Sequence, residues 1–160
     1  MTSDQLNNQS ISRLATNKFG GLYLLLTGQR LKQGQGMEKK PIKTFEDLYV
    51  WTRAIELVQQ VYLLTQGDKL SQDLGLCDQL RRASISISTN IAVGFERYSR
   101  REYINFLKIA KGSTAAVRSL LKVALEVGYI EQAECEELYN SAVKLSRMLA
   151  IQIQALNKSL

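Results

Sequence analysis

Residues 78–113 read DQLRRASISISTNIAVGFERYSRREYINFLKIAKGS, and the way they fold decides how the chain folds. Ala83-Ser84-Ile85-Ser86-Ile87-Ser88 alternates apolar and polar side chains, the period of a half-buried strand. Leu80, Ala83, Ile87, Ile91 and Phe95 recur at three and four residues, the period of a helix. Both periods fit, so these residues alone leave helix and strand open. Gly94 reads as a hinge, and a basic knot, Arg97-Tyr98-Ser99-Arg100-Arg101, opens the next segment.

Outward from that stretch the pattern is helical. Ser99 with Glu102 is a capping box, the Ser hydroxyl taking the free amide of Glu102 while Glu102 reaches back. Tyr103, Phe106, Ala110, Ser113, Val117, Leu120, Ala124 and Val127 then keep helical spacing. They predict a helix over about 99–127, stopped by Gly128 at positive φ. Cys135, Leu138, Ala142, Leu145, Leu149 and Leu156, with Ile153 beside them, predict a helix over about 131–156. Glu131, Glu134, Glu136 and Glu137 crowd its start, and Lys144, Arg147 and Lys158 lie toward its end, as the helix dipole favours. Upstream, Thr44 and Asp47 read as the N-cap pair of a helix over about 45–66, ended by Gly67-Asp68. Its seam is Leu48, Trp51, Ile55, Val58 and Tyr62, widened by Ala54, Val61 and Leu64, with Trp51 expected in the core.

The order D-Q-L-R-R-A-x-x-S-I-x-x-N-I-A-x-G, then R-x-S, F-L-x-I-A and G-S, resembles the bacterial four-helix-bundle family of 23S ribosomal RNA intervening-sequence proteins. Accessory variability determinants of diversity-generating retroelements are related to that family. The resemblance runs from about Phe45 to about Leu156. It implies that the ambiguous stretch is helix, over about 71–96, and that the protein is all-α. Short links between long helices then make an up-down-up-down antiparallel four-helix bundle of residues 37–160. The resemblance further implies a ring-like homo-oligomer, a pentamer. A second apolar flank on helix two, with Ile85, Ala92 and Ser88, is the expected oligomer interface. Relatives commonly carry Glu where this chain has Val93 and Ala116, so the chain has lost two carboxylates.

The totals agree with one helical domain. The chain has 160 residues, 45% of them hydrophobic, with one proline. It has no histidine, the commonest general base and metal ligand. Cys77 and Cys135 form no spacing motif and read as free thiols. No apolar run approaches the ~20 residues of a membrane span, and a cytoplasmic location is expected. Residues 1–36 differ, being rich in Asn, Gln and Ser, with five of the ten glycines. Their composition favours a disordered extension, or upstream sequence translated from an over-long start, over a basic arm built on Arg13, Lys18, Arg30 and Lys32. Met37 stands where proteins resembling this one begin.

Function points to the basic charge. Arg101, Lys108, Lys111, Arg118 and Lys122 are spaced 7, 3, 7 and 4, which places them on one face of helix three. The row spans roughly 30 Å at ~1.5 Å per residue. Adding Arg81, Arg82, Arg97 and Arg100 gives nine cations between 81 and 122 against Glu96 and Glu102, so 9 − 2 = +7 in a chain of net +6. A concentrated stripe suits a phosphate backbone, and Tyr98 and Tyr103 beside the arginines suit single-strand stacking. The competing reading is a solvated face, neutralised in part by Glu131–Glu137. Arg81 and Arg82 are equally compatible with phosphate binding and with a structural pairing to Asp78 or to an acid on another helix.

Catalysis is not expected. Lys111-Gly112-Ser113 echoes a phosphate loop but lacks its glycine loop and strand. No histidine can activate Ser or Cys, and no Glu-x-x-His pair can build a bundle metal site. No cofactor or metal is expected. Nucleic acid, RNA or DNA, is therefore the first candidate partner, besides the chain itself. The alternative is a protein scaffold, such as an accessory subunit gripping a retroelement reverse transcriptase.

Overall fold

The alternating stretch is helix. The computed structural model describes residues 42–97 and 99–158, with no strand among them. The segment 1–36 and Tyr98 lie outside the described residues. Four helices follow in order: α1 (Tyr49–Leu64), α2 (Leu74–Glu96), α3 (Arg100–Glu126) and α4 (Gln132–Lys158). Each packs against its sequence neighbour, and α4 returns to α1 to close the bundle. The pairing is antiparallel. Ser86 meets Ser113 and Gly94 faces Phe106 across α2 and α3. Cys135 reaches Leu121 and Gln152 reaches Tyr103 across α3 and α4. At one end the Lys69 ammonium donates to the Gly128 carbonyl, joining the α1–α2 link to the α3–α4 link.

Burial decides the ambiguity in α2, because a continuous helix turns Cys77, Leu80, Ile87, Ile91 and Phe95 inward together. The intervening hydroxyls are satisfied on their own helix. Ser84 donates to Arg81 O at 2.8 Å and Ser88 to Ile85 O at 3.0 Å, so both are buried without an unpaired polar group. Gly94 is not a hinge. It sits within α2, where a Cβ would stand 2.7 Å from Phe106 Cβ and 3.0 Å from Tyr103 Cδ2. The missing side chain lets α3 lie close against α2 near their shared turn.

The helix starts differ from expectation at the N-terminal side. Asp47 accepts from the backbone amides of Lys43 and Thr44 at 3.0 and 3.1 Å, yet the turn it caps is a 3-10 turn, Phe45–Asp47. Extended Leu48 then separates that turn from α1. A second 3-10 turn, Leu70–Gln72, precedes α2, which Asp73 caps by accepting from Leu76 N at 2.9 Å. At the far end of α3, Gly128 takes φ 74 as expected. Tyr129 N bonds Ala124 O at 2.9 Å and Gly128 N bonds Leu125 O at 3.0 Å, the paired bonds of a Schellman stop.

Two seams are rotated from their expected positions. In α1 the buried row is Val50, Ala54, Leu57, Val61 and Leu64, while Trp51 and Val58 are half-buried and Tyr62 is exposed. Trp51 packs at the core's margin, edge-on to Phe45 at 5.2 Å. In α3 Tyr103, Ala110, Val117 and Ala124 are buried as expected, joined by Leu107, Thr114 and Leu121 instead of Phe106, Ser113 and Leu120. Val127 is exposed. A helix touching two neighbours buries a wide arc, and spacing alone does not fix the arc's centre. The α4 seam is buried throughout.

Candidate functional site

The cationic row of α3 follows from that rotation. With Leu107, Ala110, Thr114 and Leu121 inward, Arg101, Lys108, Lys111 and Lys122 are exposed and Arg118 is half-buried. Ser99 accepts from Glu102 N at 3.4 Å and starts the helix just before the row. None of the five cations meets a described carboxylate within ion-pair distance. Glu131–Glu137 therefore pair with none of the five cations.

The row has two halves. Arg118 and Lys122 both rest on the ring of Tyr139 in α4, with the guanidinium carbon 5.7 Å and the ammonium 5.4 Å from its centroid. The ring face attracts both cations and holds them against the bundle. Arg118 Nε is buried there with no hydrogen-bond partner. Arg101, Lys108 and Lys111 rest on no described ring and are exposed along the other half.

The remaining expected residues are placed differently. Arg97, exposed at the end of α2, stacks its guanidinium 5.5 Å from the centre of the Phe106 ring. Arg100 is half-buried in the first turn of α3. Arg81 is half-buried, donates from Nε to the Thr65 hydroxyl at 2.9 Å, and lies 5.0 Å from the centroid of Tyr62. It ties α2 to the end of α1, and it does so without an acid. Its neighbour Arg82 is the one near Asp78, at 3.9 Å with both side chains largely exposed, a pair that contributes little in water.

The described aromatic side chains do not flank the row as stacking platforms. Tyr103 is fully buried, edge-on to Phe95, and its hydroxyl accepts from Gln152 Nε2 at 2.9 Å. Burial pushes its pKa well above the usual tyrosine range. Phe106 and Tyr139 are covered by the cations just described. Tyr98 lies outside the described residues.

Of the expected interface residues, Ile85 is 39% exposed and Ala92 half-buried on the same flank of α2, while Ser88 is buried inside the chain. Periodicity reasoning missed a second apolar line, on α3. Ile109, Ala116, Val123 and Val127 are spaced 7, 7 and 4 and all are exposed, offset around the helix from the cations. Helical spacing alone places Val127 in the core seam, and Ala116 stands where the resemblance implies a carboxylate. The signal was present as apolar residues off the seam. Beside this line, Ser86, Ser113 and Asn90 form a polar junction: the two hydroxyls are 2.9 Å apart and the Asn90 amide donates to Ser86 O at 2.7 Å.

The thiols are packing groups. Burial raises the pKa of both Cys77 and Cys135, and they donate to Leu70 O at 3.1 Å and Leu121 O at 3.7 Å. Among the described residues, no three Cys, Asp or Glu side chains gather as a metal site would need, and no helix is long and apolar enough to cross a membrane. Lys111-Gly112-Ser113 lies in mid-helix, with Gly112 exposed.

Comparison with known proteins places the fold. A similar solved structure is that of a protein with unknown function from the S23 ribosomal protein family of Bacteroides thetaiotaomicron VPI-5482. It is 24% identical with a TM-score of 0.61, and the match covers 66% of this chain and 95% of that one. At that identity the likeness shows the fold alone. No curated protein matches. The family model described as 23S rRNA-intervening sequence protein matches residues 46–151. That is most of the bundle and more than half of the sequence, so the chain belongs to the family of 23S rRNA-intervening sequence proteins.

Proposed function

We propose that this protein is a non-catalytic, self-associating member of the family that binds nucleic acid through the outer face of α3. The observation that carries the reading is the row Arg101, Lys108, Lys111, Arg118 and Lys122, unpaired by any described carboxylate and extending along one helix. Cations gathered along one helix face gain from phosphates by releasing counterions, and repetition in a ring would multiply the field. A cytoplasmic setting accords with two free, buried thiols.

The test is binding of the full chain to labelled RNA and DNA across a salt series, beside the variant Lys108→Glu/Lys111→Glu. The wild type is expected to bind with affinity falling steeply with salt, and the variant to lose binding while keeping its helical content. Arg81→Ala serves as the contrast. Its loss of the Thr65 bond should lower stability by about 1 kcal/mol and leave affinity nearly unchanged. Absence of binding by the wild type at low salt would sink the reading.

The exposed line Ile109, Ala116, Val123 and Val127 favours a second reading, a protein-interaction scaffold such as a retroelement reverse-transcriptase accessory subunit. On that reading Val123→Glu abolishes partner binding, and reversal of Lys108 and Lys111 spares it.

A further inference from the structure

We infer that the nucleic acid held by this face is a double helix, contacted through its phosphates without base stacking; the inference rests on the nucleic-acid reading of the same face. Single-strand binders add stacking on exposed aromatic rings to a basic groove, at about 1–3 kcal/mol per base. Among the described residues this face has no free ring to offer. The aromatics of α3 are Tyr103 and Phe106. Tyr103 is sealed in the core with its hydroxyl on Gln152, and Phe106 lies under Arg97. Tyr139, the ring that borders the row from α4, is covered by Arg118 and Lys122. Between the cations the face presents Ala115 and Ser119, both exposed and small. Asn105 is the sole amide on α3.

What remains is a row of charge along one face of α3, and a duplex is the form that gains most from it. A duplex carries one phosphate charge per roughly 1.7 Å of axis and is already ordered. A single strand has lower charge density, must lose conformational freedom to follow the row, and recovers nothing by stacking on the described rings. The small side chains at 115 and 119 let a phosphate ridge approach the helix between Lys111 and Lys122.

The experiment titrates the full chain against a labelled duplex and each of its separated strands, for RNA and for DNA, over a salt series. Expected is duplex binding about tenfold or more tighter than either strand, the margin left when stacking is absent. Lys111→Glu should flatten the duplex salt slope by about 1 or more. Tyr98→Ala should leave duplex affinity unchanged. Binding of a single strand as tightly as the duplex, or loss of affinity in Tyr98→Ala, overturns the duplex inference and leaves the nucleic-acid reading standing. Failure of every probe at low salt overturns both.

Discussion

Gly94 and Phe106 touch backbone to side chain: a Cβ on Gly94 would lie 2.7 Å from the Cβ of Phe106, nearer than real carbon atoms approach. The contact sets the spacing of α2 and α3 at the end where the cationic row begins. In an open helix, Gly→Ala stabilises by roughly 0.5–1 kcal/mol. Here Gly94→Ala is expected to do the opposite, destabilising by about 1–3 kcal/mol as overpacking does. Chemical denaturation checks it, and a more stable variant would show that the helices can move apart freely.

This glycine also marks the limit of what the sequence disclosed. Helical spacing placed α3 and α4, and the Gly128 stop followed from chain chemistry alone. The helical state of α2 came from family resemblance, because Ser84 and Ser88 hide among apolar residues by bonding their own helix carbonyls, which mimics alternation. A glycine required by contact with a distant residue looks in sequence like one required by a bend. The cationic row was legible because exposed charges keep helical spacing. Its division into a half held on Tyr139 and a free half was not, since that ring arrives from another helix.

The Tyr103–Gln152 bond gives a pH-dependent prediction. Gln152 is buried, its Nε2 donates to the Tyr103 hydroxyl, and its Oε1 has no partner among the described residues. Tyr103→Phe should therefore cost about 1–3 kcal/mol at neutral pH, leaving the Gln152 amide wholly unpaired. Burial raises the Tyr103 pKa in the fold, whereas in the unfolded chain it titrates near its ordinary value of about 10. Above that pH the unfolded state loses its proton first, so the group's contribution, complete below about pH 10, declines as pH rises further. The stability gap between wild type and Tyr103→Phe should narrow from pH 9 to 11. A constant gap would mean that the phenol is more open to water than the packing implies.

Self-association is tested on the flank of α2. Ile85, 39% exposed, and half-buried Ala92 stand seven residues apart, two turns of one face, with Ser88 turned inside between them. Within the chain Ile85 has only part of its surface covered, and a neighbouring subunit would remove the rest from water, for about 25 cal/mol per Å² of apolar surface. A carboxylate at either position would instead have to be desolvated in the interface. Ile85→Glu/Ala92→Glu is expected to reduce the mass in solution to that of the monomer, with helical content kept because neither side chain is in the bundle core. The matching change on the other apolar line, Val123→Glu, should leave the mass unaltered. If Val123→Glu dissociates the particle and the α2 variant does not, the subunits meet along α3, and the cations beside that line face the joint between subunits.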